Sequence, residues 1–189
     1  ELTVQVKEEI DHLESILSAL DFASKEEDLN EIKRELIDSG YVRGRGIRSG
    51  KGPGNKGKAE KLRFKSKPLH YLSRDGFHMY VGKNNYQNDE LTFKVAEGGD
   101  WWFHAKGMPG SHVIVKTEGK ELPDRTFEEA ARLAAHYSKG ADAGKVDIDY
   151  LQRKNVKKPN GAKPGYVIYY TNYSMTIDSN IDEIELIED

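Results

Sequence analysis

The sequence contains no cysteine. That excludes disulfides, zinc-thiolate sites and thiol nucleophiles together, and it suits a reducing cytoplasm. No run approaches the eighteen or so apolar residues a membrane helix needs. The densest apolar patches are Val113-Ile114-Val115 and Tyr166 to Tyr170, so no membrane partner is expected. The start, Glu1-Leu2-Thr3-Val4, lacks the basic flank and apolar core of a secretory signal. Acidic residues are nearly missing from one stretch: residues 41–67 hold 10 basic residues against the single Glu60. Residues 1–40 invert this, with 4 basic and 12 acidic residues, and residues 69–189 hold 15 and 19. The overall net charge of −3 therefore hides a concentrated positive segment, the footprint expected of a nucleic-acid partner.

Three regions follow. Residues 1–40 read as a coiled-coil arm plus a short helix. Val6, Ile10, Leu13, Leu17 and Leu20 advance in steps of four and three, the seam of a coiled coil, and so short a seam implies a partner arm absent from this chain. The pattern breaks at Phe22-Ala23-Ser24, where Ser24 and Glu27 have capping-box spacing. The next helix carries Leu29, Ile32 and Leu36 on one face and ends near Gly40. Residues 41–68 form a basic, glycine-rich linker bearing Arg43, Arg45, Arg48, Lys51, Lys56 and Lys58. Within it Gly52, Gly57 and Lys58 have P-loop spacing, but Ala59 replaces the magnesium-binding hydroxyl and no strand precedes, which rejects a nucleotide site.

Residues 69–189 read as an α+β domain, a mixed or mainly antiparallel sheet with a covering helix. Expected strands are 70–72 and 77–81 (turned at Asp75-Gly76), 101–105, 112–116, 146–150, 166–170 and a last one near 175–177. Asn88 to Ala96 suits a short helix capped by Asn88 or Asp89. A second helix has Thr126 and Glu129 as capping box, an alanine-rich face, and its end at Gly140. The acidic tail from Asp182 is expected to fray.

Chemistry is sparse. His104 and His112 can meet across a glycine-proline turn, but two histidines without a third ligand make no metal site, and hydrogen bonding to loop backbone is the simpler role. Ser111-His112 would diverge on a strand, so no catalytic residue and no cofactor is expected. Binding has better materials. Lys83, Asn84, Asn85, Gln87 and Asn88 lead into a helix start. Trp101, Trp102, Phe103 and Tyr86 offer stacking surfaces, and Lys154, Lys157, Lys158 and Lys163 decorate a proline-glycine loop.

Three runs carry a resemblance: Tyr80 to Thr92 (YVGKNNYQNDELT), Asp100 to Val113 (DWWFHAKGMPGSHV), and Asn155 to Gly165 (NVKKPNGAKPG). In this order they resemble the C-terminal NFACT-R domain of the NFACT family, which includes the bacterial RqcH and eukaryotic NEMF proteins and some first described as fibronectin-binding protein A. The resemblance implies cytoplasmic ribosome quality control. The expected partners are tRNA and the RNA of obstructed large ribosomal subunits, and the outcome is C-terminal alanine tailing whose bond chemistry belongs to the ribosome. It assigns RNA-facing roles to Lys83, Asn84, Asn85, Asn88, Asp89, Trp101, His104, Lys106, Ser111, His112, Lys157, Lys158 and Lys163. Leu151 and Ser174-Met175 depart from the family pattern, which favours Thr and Lys there. The competing reading is a cell-surface adhesin domain for fibronectin or fibrinogen.

Overall fold

The computed structural model describes residues 2–44 and 65–188. Two helices come first, α1 (Leu2–Asp21) and α2 (Glu26–Asp38). The domain that follows runs β1 (Leu69–Leu72), β2 (His78–Val81), α3 (Asn85–Glu90) continued by a π turn over Leu91–Val95, then β3 (Trp101–Ala105) and β4 (Val113–Val115). It ends with α4 (Asp124–His136), β5 (Val146–Gln152), β6 (Tyr173–Ile177) and β7 (Glu185–Leu186). The sheet order is β6-β5-β3-β4-β2-β1-β7, and every pairing is antiparallel. The expected α+β class with a covering helix is what is found.

The sheet separates two cores. Because side chains alternate along a strand, Trp101 and Phe103 face α4, while Trp102 faces the other way. On the α4 side, Met79, Phe103, Val113 and Ile148 are fully buried against Ala130, Ala131, Ala134 and Ala135. Small side chains there let the helix lie close to the strands. On the opposite side Ile114, Trp102 and Leu151 sit in register and join Leu91 and Val156. Leu151, one departure from the family pattern, is 2% exposed and belongs to this core.

Several local expectations need correction. α3 begins earlier than expected, because Asn84 caps it by accepting from the Gln87 amide at 2.9 Å; Asn88 and Asp89 lie inside the helix. α4 begins after Pro123 and stops at His136, so Thr126 and Glu129 are interior. Glu129 is fully buried and takes the Arg74 guanidinium at 2.6 Å. Residues 166–170 form no strand, only the single bridge Lys157–Ile168; Val167 and Tyr169 tuck onto the Trp102 core while Tyr170 is 87% exposed. The acidic tail is held, since β7 pairs with β1 and Ile184 is buried. α2 starts at Glu26, and Asp28 rather than Glu27 reciprocates, accepting from the Ser24 and Lys25 amides at 3.0 and 3.2 Å. Leu29 is half exposed, so the buried face of α2 is narrower than Leu29, Ile32 and Leu36 suggested. Gly40 does end α2: at φ +79° it lets its own amide reach Ile37 O and the Tyr41 amide reach Leu36 O, a Schellman close.

α1 uses two faces. His12, Ile16 and Ala19 are buried toward α2 and the domain. The seam residues Val6, Ile10, Leu13, Leu17 and Leu20 remain 38–61% exposed.

Candidate nucleic-acid interface

The residues expected to meet RNA divide into two groups. The first lies where β2 runs into α3. Gly82 is essential to the fit: a Cβ there would lie 2.1 Å from Asn88 Oδ1. That oxygen accepts from the His112 amide at 3.0 Å, fixing the end of β4. Gln87 Oε1 in turn accepts from the Lys83 amide at 2.9 Å. The start of α3 is thus a rigid shelf of amide side chains.

The acidic arm covers that shelf. On α2, Asp28, Glu31, Glu35 and Asp38 follow steps of three, four and three, which places them on one stripe. Each meets a partner. Lys83 Nζ donates to Asp28 Oδ1 at 2.6 Å, and Asn84 Nδ2 to Glu31 Oε2 at 2.6 Å. Asn85 Nδ2 donates to Glu35 Oε1 at 2.8 Å, and the Tyr86 hydroxyl to Asp38 Oδ2 at 2.7 Å. α1 adds His12, whose Nε2 lies 3.0 Å from Glu35 Oε1, and Ser15, whose Oγ accepts from Asn85. Burial alone would raise the Asp28 pKa. Hydrogen bonds from Lys83, Ser66 and the Ser24 amide outweigh it and carry the pKa down to about 2. Lys83, Asn84, Asn85 and Asn88 are therefore engaged within the molecule, the first three by the arm. Asp28, Glu31, Glu35 and Asp38 are not among the residues expected at the site; their three-four-three spacing is the signal in the sequence that puts them on one face.

The second group surrounds the loop after β5. Lys158 Nζ reaches both Asp89 oxygens, at 3.1 and 3.0 Å, and Lys163 O at 2.6 Å. Asp89 Oδ1 also accepts from the Gly165 amide, so Asp89 staples this loop to α3 instead of capping the helix. Lys163 Nζ bonds the Tyr41 hydroxyl at 2.9 Å. His112 Nε2 donates to Gly165 O and Nδ1 accepts from Thr92 Oγ1. Burial first, and then the neighbouring His104, push the His112 pKa well down, and burial lowers that of His104. The two rings do meet, edge to face at 5.5 Å. Among the described residues no three His, Cys, Asp or Glu gather around a possible metal. Ser111 is buried. Lys106, Lys154 and Lys157 stay exposed, as does Arg43; Arg45, Arg48, Lys51, Lys56 and Lys58, with the near-P-loop, lie outside the described residues. Of the aromatics, Trp102 and Phe103 are core, and Trp101 lies on the far side of the sheet beside α4.

Comparison with known proteins adds to this geometry. Residues 67–171 match the family model described as the NFACT protein RNA binding domain. The chain is 40% identical over 185 residues to the Rqc2 homolog RqcH of Streptococcus suis, covering 97% of this chain and 31% of that protein. It is 37% identical to the Rqc2 homolog RqcH of Bacillus subtilis, covering 94% and 29%. It thus spans about a third of the length of these relatives. Among solved structures, the C-terminal part of a fibronectin/fibrinogen-binding protein from Streptococcus suis superposes with a TM-score of 0.82 at 39% identity, covering 96% of this chain and 68% of that one. The chain belongs to the NFACT family, and its β-sheet domain is that family's C-terminal RNA-binding domain.

Proposed function

We propose that this chain is an RNA-binding module of a ribosome quality-control factor, and that it works in the cytoplasm on obstructed large ribosomal subunits and their tRNA. The match of residues 67–171 to the NFACT RNA-binding family carries the reading. The relatives named Rqc2 homologs supply the process. The module contributes affinity and no catalysis; C-terminal tailing is the work of the whole factor and the ribosome. Its contacts are to phosphate and shape: Lys106 and Lys157 on the domain stand exposed, and the basic segment 43–58 supplies further charge. The exposed seam of α1 is the place for the partner arm of the coil.

The adhesin reading gains nothing from the solved structure with the fibronectin name, because that protein has this same NFACT fold at 39% identity. The test is binding of the chain to purified tRNA, large subunits and fibronectin across a salt series. RNA binding should weaken steeply with salt, and Lys106→Ala with Lys157→Ala should flatten the slope by up to about two ions. An unchanged slope, with loss only on neutralising segment 43–58, would remove the folded domain from the RNA contact. Saturable fibronectin binding at physiological salt without RNA binding would overturn the proposal.

A further inference from the structure

An open groove of about 510 Å³ lies between the start of α4 and strands β5–β6, and no residue of α1 or α2 lines it. Four aromatic rings converge there. Trp101 meets the edge of Phe127 at 4.8 Å, and Tyr173 stacks on Tyr150 at 5.5 Å and 27°. Tyr173 is 62% exposed, so a ring face is open to a ligand in the groove. The polar rim of the groove carries Asp124 and Glu128, both exposed; among the described residues they have no ion pair and no Lys or Arg lines the groove. Burial, then Tyr173 and Asp124, raise the Tyr150 hydroxyl pKa, so that hydroxyl stays neutral and the negative charge of the groove is that of its two rim carboxylates.

These features select one kind of ligand. Aromatic faces and carboxylates both attract cations, and carboxylates oppose the phosphates that accompany any nucleobase. A guanidinium satisfies both elements at once, stacking on a ring while its N–H fork meets a carboxylate. We propose that this groove binds an arginine side chain presented by a basic segment of a protein partner. It lies on the opposite side of the sheet from the shelf that holds the arm, so both can be occupied together. The assignment does not depend on the RNA reading.

The two tryptophans make the test internal. Trp101 faces the groove, whereas Trp102 is fully buried on the other side of the sheet. The indole N–H signals of the 189-residue chain would be followed by NMR while an acetyl-Gly-Arg-Gly-Arg-Gly amide peptide is added. The Trp101 signal should move and saturate while that of Trp102 stays. The citrulline version, equal in shape but uncharged, should bind roughly tenfold more weakly, as should the peptide to Asp124→Asn/Glu128→Gln or to Tyr173→Ala. All three substituted side chains are exposed, and retained dispersion of the remaining signals verifies folding. Equal binding of the citrulline peptide, indifference to the substitutions, or a motionless Trp101 would each overturn the proposal. So would a Trp101 shift produced by oligouridylate instead, which would make the groove a nucleotide site.

Discussion

Helices α4 and α2 both pack on the same domain, yet by opposite chemistry. α4 lays four fully buried alanines against aliphatic and aromatic strand residues. α2 presents four carboxylates to lysine, amide and hydroxyl groups. The first contact rests on burial of apolar area, which is insensitive to pH and salt over the usual range. The second depends on every partner being in place, since an unmatched buried charge costs more than a matched one returns. α4 is therefore part of the domain, and the arm is a separable element held by a conditional contact.

The largest effect should come from the apolar side. Phe103→Ala opens a hole under α4 and should lower global stability by about 3–5 kcal/mol in chemical denaturation. Asp28→Ala should act differently. It strands Lys83, whose side chain is only 10% exposed, and should cost about 3 kcal/mol or more. Hydrogen exchange should localise that loss to α1 and α2, leaving the amides of β3 and α4 as protected as before. Uniform acceleration across the sheet would erase the distinction drawn between the two helices.

Acid sharpens the comparison. Asp28 has a depressed pKa in the docked state, near 2, against about 3.9 when free. Its contribution is complete above the free value and is lost as pH falls toward 2, an effect of roughly 2 kcal/mol. Protection of the arm amides, taken relative to the intrinsic exchange rate at each pH, should then fall between pH 4 and 2 in the wild type, and Asp28→Asn should remove that dependence. The smallest effect belongs to Arg34, whose pair with Asp38 is 3.6 Å long and solvent-exposed; Arg34→Ala should change stability by less than about 0.5 kcal/mol.

Much of the domain was legible because its signals are periodic. Alternation placed β1 to β6 to within a few residues, and the alanine face of α4 announced a helix lying close to a sheet. The misread segments show where periodicity stops informing. Residues 166–170 are apolar and aromatic enough for a strand, but Val167 and Tyr169 serve as plugs for the Trp102 core and Tyr166 and Tyr170 point outward. α3 was placed late because its cap pair, Asn84 and Gln87, precedes the apolar residues that signal the helix. The arm's docking was invisible for another reason. Asp28 and Lys83 are 55 positions apart, and a polar contact between distant segments leaves no periodic trace in either. The resemblance to NFACT domains marked Lys83, Asn84 and Asn85 as important; it could not tell a phosphate partner from a carboxylate one.

The position of the shelf along α1 has a mechanical side. His12, Ser15 and Ala19 touch α2 or the domain near the C-terminal half of the helix, and the turns before them project freely. Ten residues of helix extend about 15 Å. A tilt of about 10° at the shelf would therefore swing the far end by roughly 3 Å, about half the rise of a full helical turn. The amide shelf is the fulcrum of a lever. Slack of a few tenths of an ångström among His12, Ser15, Glu35 and Asn85 is multiplied along the helix, and so the aim of α1 is set by the polar contacts at its base.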